Sequence, residues 1–245
     1  MLTQAEKHVA RLSWNVVDEC IKSGAYGILP IGAESKEHGF HLPNNTDWLQ
    51  AEWLANKAAE LSNGLIWPTL NYGYYPAFVD YPGSISLSSE TFEALVSDIV
   101  KGIYDSGVHR VLIINTGIST IQPLERVAAD YGNRLFLHHM CEATYYSDVS
   151  KRIAKQPHGS HADEIETSKM LWLAPEVVDM AKAQPSPLNT PMQRGPFSRT
   201  NSQHANYSPS GVYGDPRLAT LEKGELIIQA MVKDLAAIVT AVTSP

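Results

Sequence analysis

The sequence has little of what several classes of protein need. Only two of its 245 residues are cysteine, Cys20 and Cys141, which excludes a disulfide framework. Lysine and arginine form no cluster and the net charge is −7, so a nucleic-acid binder with a basic face is not expected. The longest apolar runs, such as residues 111–114, are far shorter than a membrane span. Because residues 1–7 also lack the apolar run of a signal peptide, we expect a cytoplasmic protein.

The remaining composition is that of a folded α/β protein. Apolar residues make up 44% of the chain and charged residues 18%. Short apolar runs alternate with segments of helical spacing, which indicates a mainly parallel sheet covered on both faces. We therefore predict a three-layer α/β/α fold with a mainly parallel sheet, as one domain over residues 1–245. The predicted strands are 26–31, 65–70, 108–115 and 134–139, and the predicted helices are 4–23, 47–61, 90–106, 123–131, 161–173 and 220–242.

The segment 34–47 holds the densest group of chemically active residues. It contains two imidazoles and three carboxylates in fourteen residues, and it follows the first predicted strand. Ligands bind beyond the carboxyl ends of strands in open α/β sheets, so this group could gather a divalent cation. Imidazole suits zinc, iron or nickel, and carboxylate suits manganese or magnesium. The alternative is a polar surface loop in which Asp47 caps the following helix.

Four blocks, in the same order, resemble the creatininase family of metal-dependent amidohydrolases. The first is Ile-Gly-Ala followed by His-Gly-Phe-His-Leu-Pro and Thr-Asp, within residues 31–47. The second is Asn-Tyr-Gly with Tyr-Pro-Gly-Ser-Ile-Ser-Leu, within 71–87. The third is His-Ala-Asp-Glu-Ile-Glu-Thr-Ser at 161–168, and the last begins Ser-Gly-Val-Tyr-Gly-Asp-Pro, within 210–224. The likeness covers nearly the whole chain, and the chain resembles a divergent member of the family.

The resemblance implies hydrolysis of an amide-like C–N bond in a small polar molecule, cyclic or linear, by a water on a divalent cation. By position, His38 and Asp47 match two metal ligands of the family, and Glu166 is expected to complete a three-ligand site. A carboxylate that interacts with a helix dipole is the alternative for Glu166. His161 matches the active-site histidine, which would donate a proton to the leaving nitrogen or stabilise the oxyanion. His41 is expected to support the loop.

Two departures from the family pattern fall on the ligands of a single cation. Lys36 stands where the family has a ligand glutamate, and Gly117 stands where it has a ligand histidine. The Lys36 ammonium could take the vacated place and neutralise Asp47; alternatively, Glu34 or Glu37 could serve as the ligand. We favour the first alternative, which makes Lys36 a functional residue. It predicts one cation per chain, zinc, manganese or iron.

The remaining expectations are less closely tied to motifs. Tyr72 and Tyr81 are predicted to contact the substrate, although core or subunit contacts are the commoner use of aromatic residues. The expected partner is a small molecule, and the resemblance implies a homo-oligomer, commonly a hexamer. Creatinine-hydrolysing relatives carry Trp and Glu where this chain has Pro157 and Ser160, so creatinine itself is not the expected substrate. The rival functions are a small-molecule-binding protein that has lost the chemistry, and a lyase or isomerase that uses Lys36 as its base.

Overall fold

A computed structural model describes residues 7–188 and 190–244. Over these ranges the chain forms a four-stranded sheet with helices on both sides. The strands are β1 Gly27–Ile31, β2 Leu65–Ile66, β3 Val111–Asn115 and β4 Leu135–His139. The α-helices are α1 Trp14–Lys22, α2 Thr46–Glu60, α3 Ser89–Asp105, α4 Ile121–Ala129, α5 Thr144–Ile153, α6 Glu164–Leu173 and α7 Leu221–Thr243.

The sheet has the order β2-β1-β3-β4, and every described strand pair is parallel. Successive strand residues face opposite sides, so each strand contributes to two cores. Ile28 and Leu112 pack with α2, α5, α6 and α7, whereas Leu29 and Val111 pack with α3 and α4. A parallel sheet that is apolar on both faces needs this double cover. The predicted three-layer α/β/α architecture is confirmed.

Several predicted elements are shorter in the structure, and the helix predicted at 4–23 and the strand predicted at 65–70 differ most. The first six residues of the chain lie outside the described ranges, so only part of the predicted helix 4–23 can be compared. A 3₁₀ turn covers Val9–Arg11 and the α-helix begins only at Trp14. His8 is held in extended conformation because it pairs with Ile66 at the sheet edge. The predicted strand 65–70 ends at Ile66, two residues before Pro68, which has no N–H for a ladder.

Helix α5 was not predicted at all. Its sequence is mostly polar, and none of its residues is fully buried. The N-terminus of α5 is satisfied by Asp234 of α7, whose carboxylate accepts hydrogen bonds from Tyr145 N and Tyr146 N at 3.0 and 2.8 Å. The stabilising partner is therefore far away in sequence, where no local pattern reveals it.

Helix α7 is long and apolar enough to cross a membrane, but it is a core element of this fold. Its buried side chains, including Ile227, Met231 and Leu235, pack in the same core as Ile28 of the sheet. At its first turn α7 crosses α6 so closely that a Cβ on Gly224 would lie 2.1 Å from the backbone oxygen of Ser168. The crossing therefore requires glycine at this position.

Gly224→Ala is expected to destabilise the protein by about 1–3 kcal/mol, because the added methyl forces the backbones of α6 and α7 apart. Gly102→Ala is the matched control. Gly102 lies in helix α3 with no atom within 4 Å of an added Cβ. The control should therefore raise the free energy of unfolding by about 0.4–1 kcal/mol. Urea unfolding of both variants measures the difference, and equal effects would show that the α6–α7 crossing is loose.

Candidate functional site

The predicted site lies beyond the carboxyl ends of β1 and β3. Residues 32–45 leave β1 as a loop, and α2 then begins with Thr46 and Asp47, both buried. A Cβ on Gly32 would lie 2.4 Å from the backbone oxygen of Asp47, so this glycine allows the strand end to approach the helix start. The Thr116 hydroxyl, just after β3, is 3.1 Å from the same oxygen. These contacts bring the first motif and the β3 loop together.

Asp47 is the centre of a buried charge cluster. Lys36 Nζ lies 2.6 Å from its Oδ2, and His38 Nε2 lies 3.2 Å from its Oδ1. Asp47 is 1% exposed and Lys36 is 6% exposed, so solvent screens neither charge. Burial alone would raise the pKa of Asp47, but the Lys36 ammonium and the His38 ring hold it below its usual value. The expected contact between Lys36 and Asp47 is therefore present.

The second predicted histidine, His161, lies against the first motif. Its ring centroid is 4.9 Å from that of His38, and its Nε2 is 2.8 Å from Glu37 Oε1. Burial alone would raise the pKa of Glu37, but the neighbouring His161 ring lowers it. His161 reaches this position because its backbone pairs with Tyr213 of the last motif, in both directions. Three sequence blocks thus meet at one imidazole.

Glu166 stands in the first turn of α6, facing the two histidines. Its Oε1 accepts a hydrogen bond from Gln50 Nε2 at 3.1 Å, and its Oε2 accepts one from Ala162 N at 2.8 Å. Lys169 Nζ in turn donates to Gln50 Oε1 at 2.7 Å. Burial opposes ionisation of Glu166, but charges of His38 and Lys169 lower its pKa to about 2. A carboxylate at a helix N-terminus is also favoured by the helix dipole, so both sequence interpretations of Glu166 describe the same position.

Three side chains are close enough to share a metal ion. His38, His161 and Glu166 each offer one ligand atom within 4.8 Å of the other two. Within residues 7–188 and 190–244 these three are grouped in this way, and Asp47 is not part of the group. Two imidazoles and a carboxylate are donors typical of a zinc or iron site with open positions. These residues fit a divalent cation.

Other side chains surround Lys36 and Gly117, the two positions at which the resemblance implies a substituted ligand. A Cβ on Gly117 would lie 2.8 Å from Thr120 Oγ1 and 3.2 Å from Tyr75 Cε1. The Lys36 ammonium lies 5.6 Å from the centroid of the Tyr75 ring and 4.8 Å from that of Phe78. The Tyr75 hydroxyl is buried, and burial raises the pKa of this phenol. An ammonium and an aromatic ring therefore occupy this side of the site.

The other predicted residues take different positions. Glu34 is exposed and accepts a hydrogen bond from Asn71 Nδ2 at 2.7 Å, which places it away from the buried cluster. His41 Nε2 is 2.8 Å from Thr167 Oγ1, and burial lowers the pKa of this histidine to about 4. His41 therefore joins the loop to α6 as a neutral ring.

Of the two predicted substrate-binding tyrosines, one is buried and one is not. Tyr81 is buried and its hydroxyl donates to Ser208 O at 2.6 Å, whereas Tyr72 is 43% exposed. The aromatic side chains that contact the site are others. The Phe78 ring lies 4.3 Å from that of His161, and Phe197 stacks on Phe78 at 5.7 Å. Sequence reasoning missed both phenylalanines, since neither belongs to a motif or a periodic pattern.

Comparisons with known proteins agree on one family. Residues 10–239 match the creatininase (creatinine amidohydrolase) family model. The creatinine amidohydrolase of Pseudomonas putida is 25% identical, and the match covers 93% of this chain and 94% of that protein. The mycofactocin precursor peptide peptidase of Mycolicibacterium smegmatis is 24% identical over 85% of this chain and 82% of that protein. The 3-dehydro-scyllo-inosose hydrolase of Thermotoga maritima is 21% identical over 86% and 76% of the two chains.

Solved structures show the same fold. A crystal structure of creatinine amidohydrolase superposes with a TM-score of 0.79 at 25% identity, and covers 97% of this chain and 98% of that one. A manganese creatininase gives a TM-score of 0.78 at 22% identity, covering 97% and 99% of the two chains. A mutant creatininase of zinc–zinc type gives 0.79 at 23% identity, covering 98% and 99%. The fold predicted from the resemblance is thus confirmed.

The relatives by sequence are an amidohydrolase, a peptidase and a hydrolase, which confirms the prediction of a hydrolytic enzyme. The family match extends over more than nine-tenths of the chain and includes all four motif blocks. The chain therefore belongs to the creatininase family.

Proposed function

We propose that this protein is a hydrolase of an amide-like C–N bond in a small polar molecule, and that it uses one divalent cation per chain. The observation that carries the proposal is the orientation of two buried imidazoles, His38 and His161. Each ring turns one nitrogen to a hydrogen-bond acceptor outside the site and the other nitrogen to a carboxylate inside it.

The hydrogen-bond partners determine which nitrogen of each ring carries the proton. His38 Nδ1 is 3.0 Å from the backbone oxygen of Lys36, so it must donate. His161 Nε2 faces the Glu37 carboxylate and must also donate. In neutral rings the remaining nitrogens then direct lone pairs at Asp47 Oδ1, 3.2 Å away, and Glu166 Oε2, 3.9 Å away. Lone pairs that face carboxylates need a cation or protons between them.

A divalent cation bound there would supply a water of lowered pKa and would polarise the carbonyl of the substrate. The chain's own residues supply the rest of the environment. Lys36 places a positive charge beside the site, suited to stabilise negative charge that develops on a carbonyl oxygen. Phe78 and Phe197 pack against His161 and keep water from that side of the ring.

The positions of Lys36 and Tyr75 favour one cation per chain over two. The substituted ligands both belong to one of the two cations of the family, and their space holds an ammonium and a ring. A second divalent ion at Asp47 Oδ2 would have to displace the ammonium that lies 2.6 Å away. The remaining cation would be zinc, manganese or iron, in keeping with the manganese and zinc structures of neighbouring creatininases.

The relatives support a small amide-like substrate. Their names describe action on creatinine and on a precursor peptide, and one solved mutant creatininase is complexed with creatine. Cytoplasmic location and a homo-oligomer remain predictions. A second candidate function is small-molecule binding without turnover. The observation that favours it is the Lys36–Asp47 pair, which satisfies the central carboxylate without any metal.

The proposed function predicts metal-dependent hydrolysis within a defined panel of amides. We expect the full-length protein to open or cleave at least one class among cyclic ureides, lactams and dipeptides. Chelation should abolish the reaction and added zinc or manganese should restore it, with product release followed by chromatography. Creatinine should remain intact, because Pro157 and Ser160 replace residues of creatinine-hydrolysing relatives. Turnover that persists at full rate without metal would refute the metal-dependent mechanism, and binding without turnover would favour the second candidate.

Lys36→Met is expected to destabilise the protein by about 3–5 kcal/mol, because it leaves the Asp47 charge buried and unpaired. Lys22→Met is the matched control. It removes a lysine that also lies 2.6 Å from an aspartate, Asp18, but in an exposed pair, and should change stability little. The thermal unfolding of both variants measures the change in stability. Adding Asp47→Asn to Lys36→Met should recover part of the loss, and a Lys36→Met variant as stable as the control would show that Lys36 is not the partner of Asp47.

A further inference from the structure

We propose that the three protein ligands of the cation are His38, His161 and Glu166, and that Glu37 positions His161 for this role. The inference rests on the proposed single-cation hydrolase and replaces the ligand set suggested by the resemblance. In that set Asp47 was a ligand and His161 was a proton donor.

Asp47 lies 3.2 Å from His38 but outside the group formed by His38, His161 and Glu166. His38, His161 and Glu166 have ligand atoms that lie within 4.8 Å of one another, and Asp47 does not belong to this set. Asp47 is instead engaged by Lys36 at 2.6 Å. The Lys36 ammonium satisfies the charge of Asp47, so this carboxylate is the weaker candidate for the third ligand.

Glu37 holds His161 in the tautomer that a ligand needs. Its Oε1 accepts from His161 Nε2 at 2.8 Å, and its Oε2 accepts from Gly39 N at 2.8 Å. Gly211, at φ +85°, makes room for this carboxylate, since a Cβ there would lie 2.0 Å from Glu37 Oε2. Metal-ligating histidines usually donate their other N–H to a carboxylate or a backbone carbonyl. His38 shows the same arrangement with the backbone oxygen of Lys36.

Glu166 is fixed on the opposite side of the cluster. Gln50 and Ala162 donate to its two oxygens, and Lys169 holds Gln50 through its side-chain oxygen. Each carboxylate oxygen has a second lone pair, so one remains for a cation. Two imidazoles and one carboxylate leave positions open for water and substrate, and they favour zinc or iron over manganese.

The ligand role also removes His161 as a proton donor. Its Nε2 proton is directed to Glu37, and its Nδ1 would be occupied by the cation. Both nitrogens are then engaged. The proton that the leaving nitrogen requires must come from another group, such as the water that attacks the carbonyl.

The test is the zinc affinity of the full-length protein and four variants, measured by chelator competition. Zinc-edge X-ray absorption counts the imidazole ligands. The wild type should bind one zinc with two imidazoles. His161→Ala should retain one imidazole ligand. Its zinc affinity should fall by more than about 10–100-fold, which is the cost of removing a hydrogen bond to a ligand. Glu37→Gln should keep both imidazoles and weaken binding by about 10–100-fold.

Two variants serve as controls. His41→Asn removes a buried imidazole that is bonded to Thr167, outside the proposed set, and should leave zinc affinity unchanged. The double variant Lys36→Met with Asp47→Asn removes the ion pair as a unit and should keep both imidazoles. Circular dichroism confirms that each variant is folded.

The outcomes separate this inference from the proposed function. If wild type binds zinc while His161→Ala keeps its full affinity, and the double variant loses zinc, Asp47 is the third ligand and the inference is overturned. The single-cation hydrolase would survive that result. If the wild type binds no divalent cation at all, the metal-dependent function and the ligand assignment both fail.

Discussion

A buried carboxylate is costly unless its charge is paired or hydrogen-bonded, and in this protein Lys36 pairs with Asp47 at the start of α2. The 2.6 Å contact between them organises the loop after β1, since it draws Lys36 inward at the strand end. The Lys36 ammonium, with the Tyr75 ring beside it, lies where the resemblance implies one cation of the family, and we propose that it replaces that cation. The remaining donors, two imidazoles and Glu166, are grouped on the other side of His38.

Much of the fold could be predicted from the sequence because it depends on local patterns. Short stretches of sequence are enough to recognise the apolar runs of β1 and β3. The same holds for the helical spacing of α2, α3 and α7. Helix α5 depends instead on the distant carboxylate of Asp234, and the start of α1 depends on pairing of His8 at the sheet edge. Such long-range contacts leave no periodic signal in the segment that they stabilise.

The candidate site also has features that local motifs predict and features that depend on long-range contacts. The motifs identified His38, Asp47, Glu166 and His161 as residues with chemistry, and the substitution by Lys36 as the main departure. They did not show which acidic residue faces which histidine. Glu37 and His161 are 124 positions apart, and their contact arises only when the first and third motifs fold together. Phe78 was missed for a similar reason, since a loop carries it to His161.

We propose that an ammonium has taken the place of one metal ion while a single cation is retained. Anomalous difference density from a zinc-loaded crystal tests it most directly, because it locates every bound zinc in the chain. We expect one peak, bounded by His38, His161 and Glu166, with Lys36 Nζ still in contact with Asp47. Two peaks bridged by Asp47, with Lys36 displaced from the carboxylate, would contradict it.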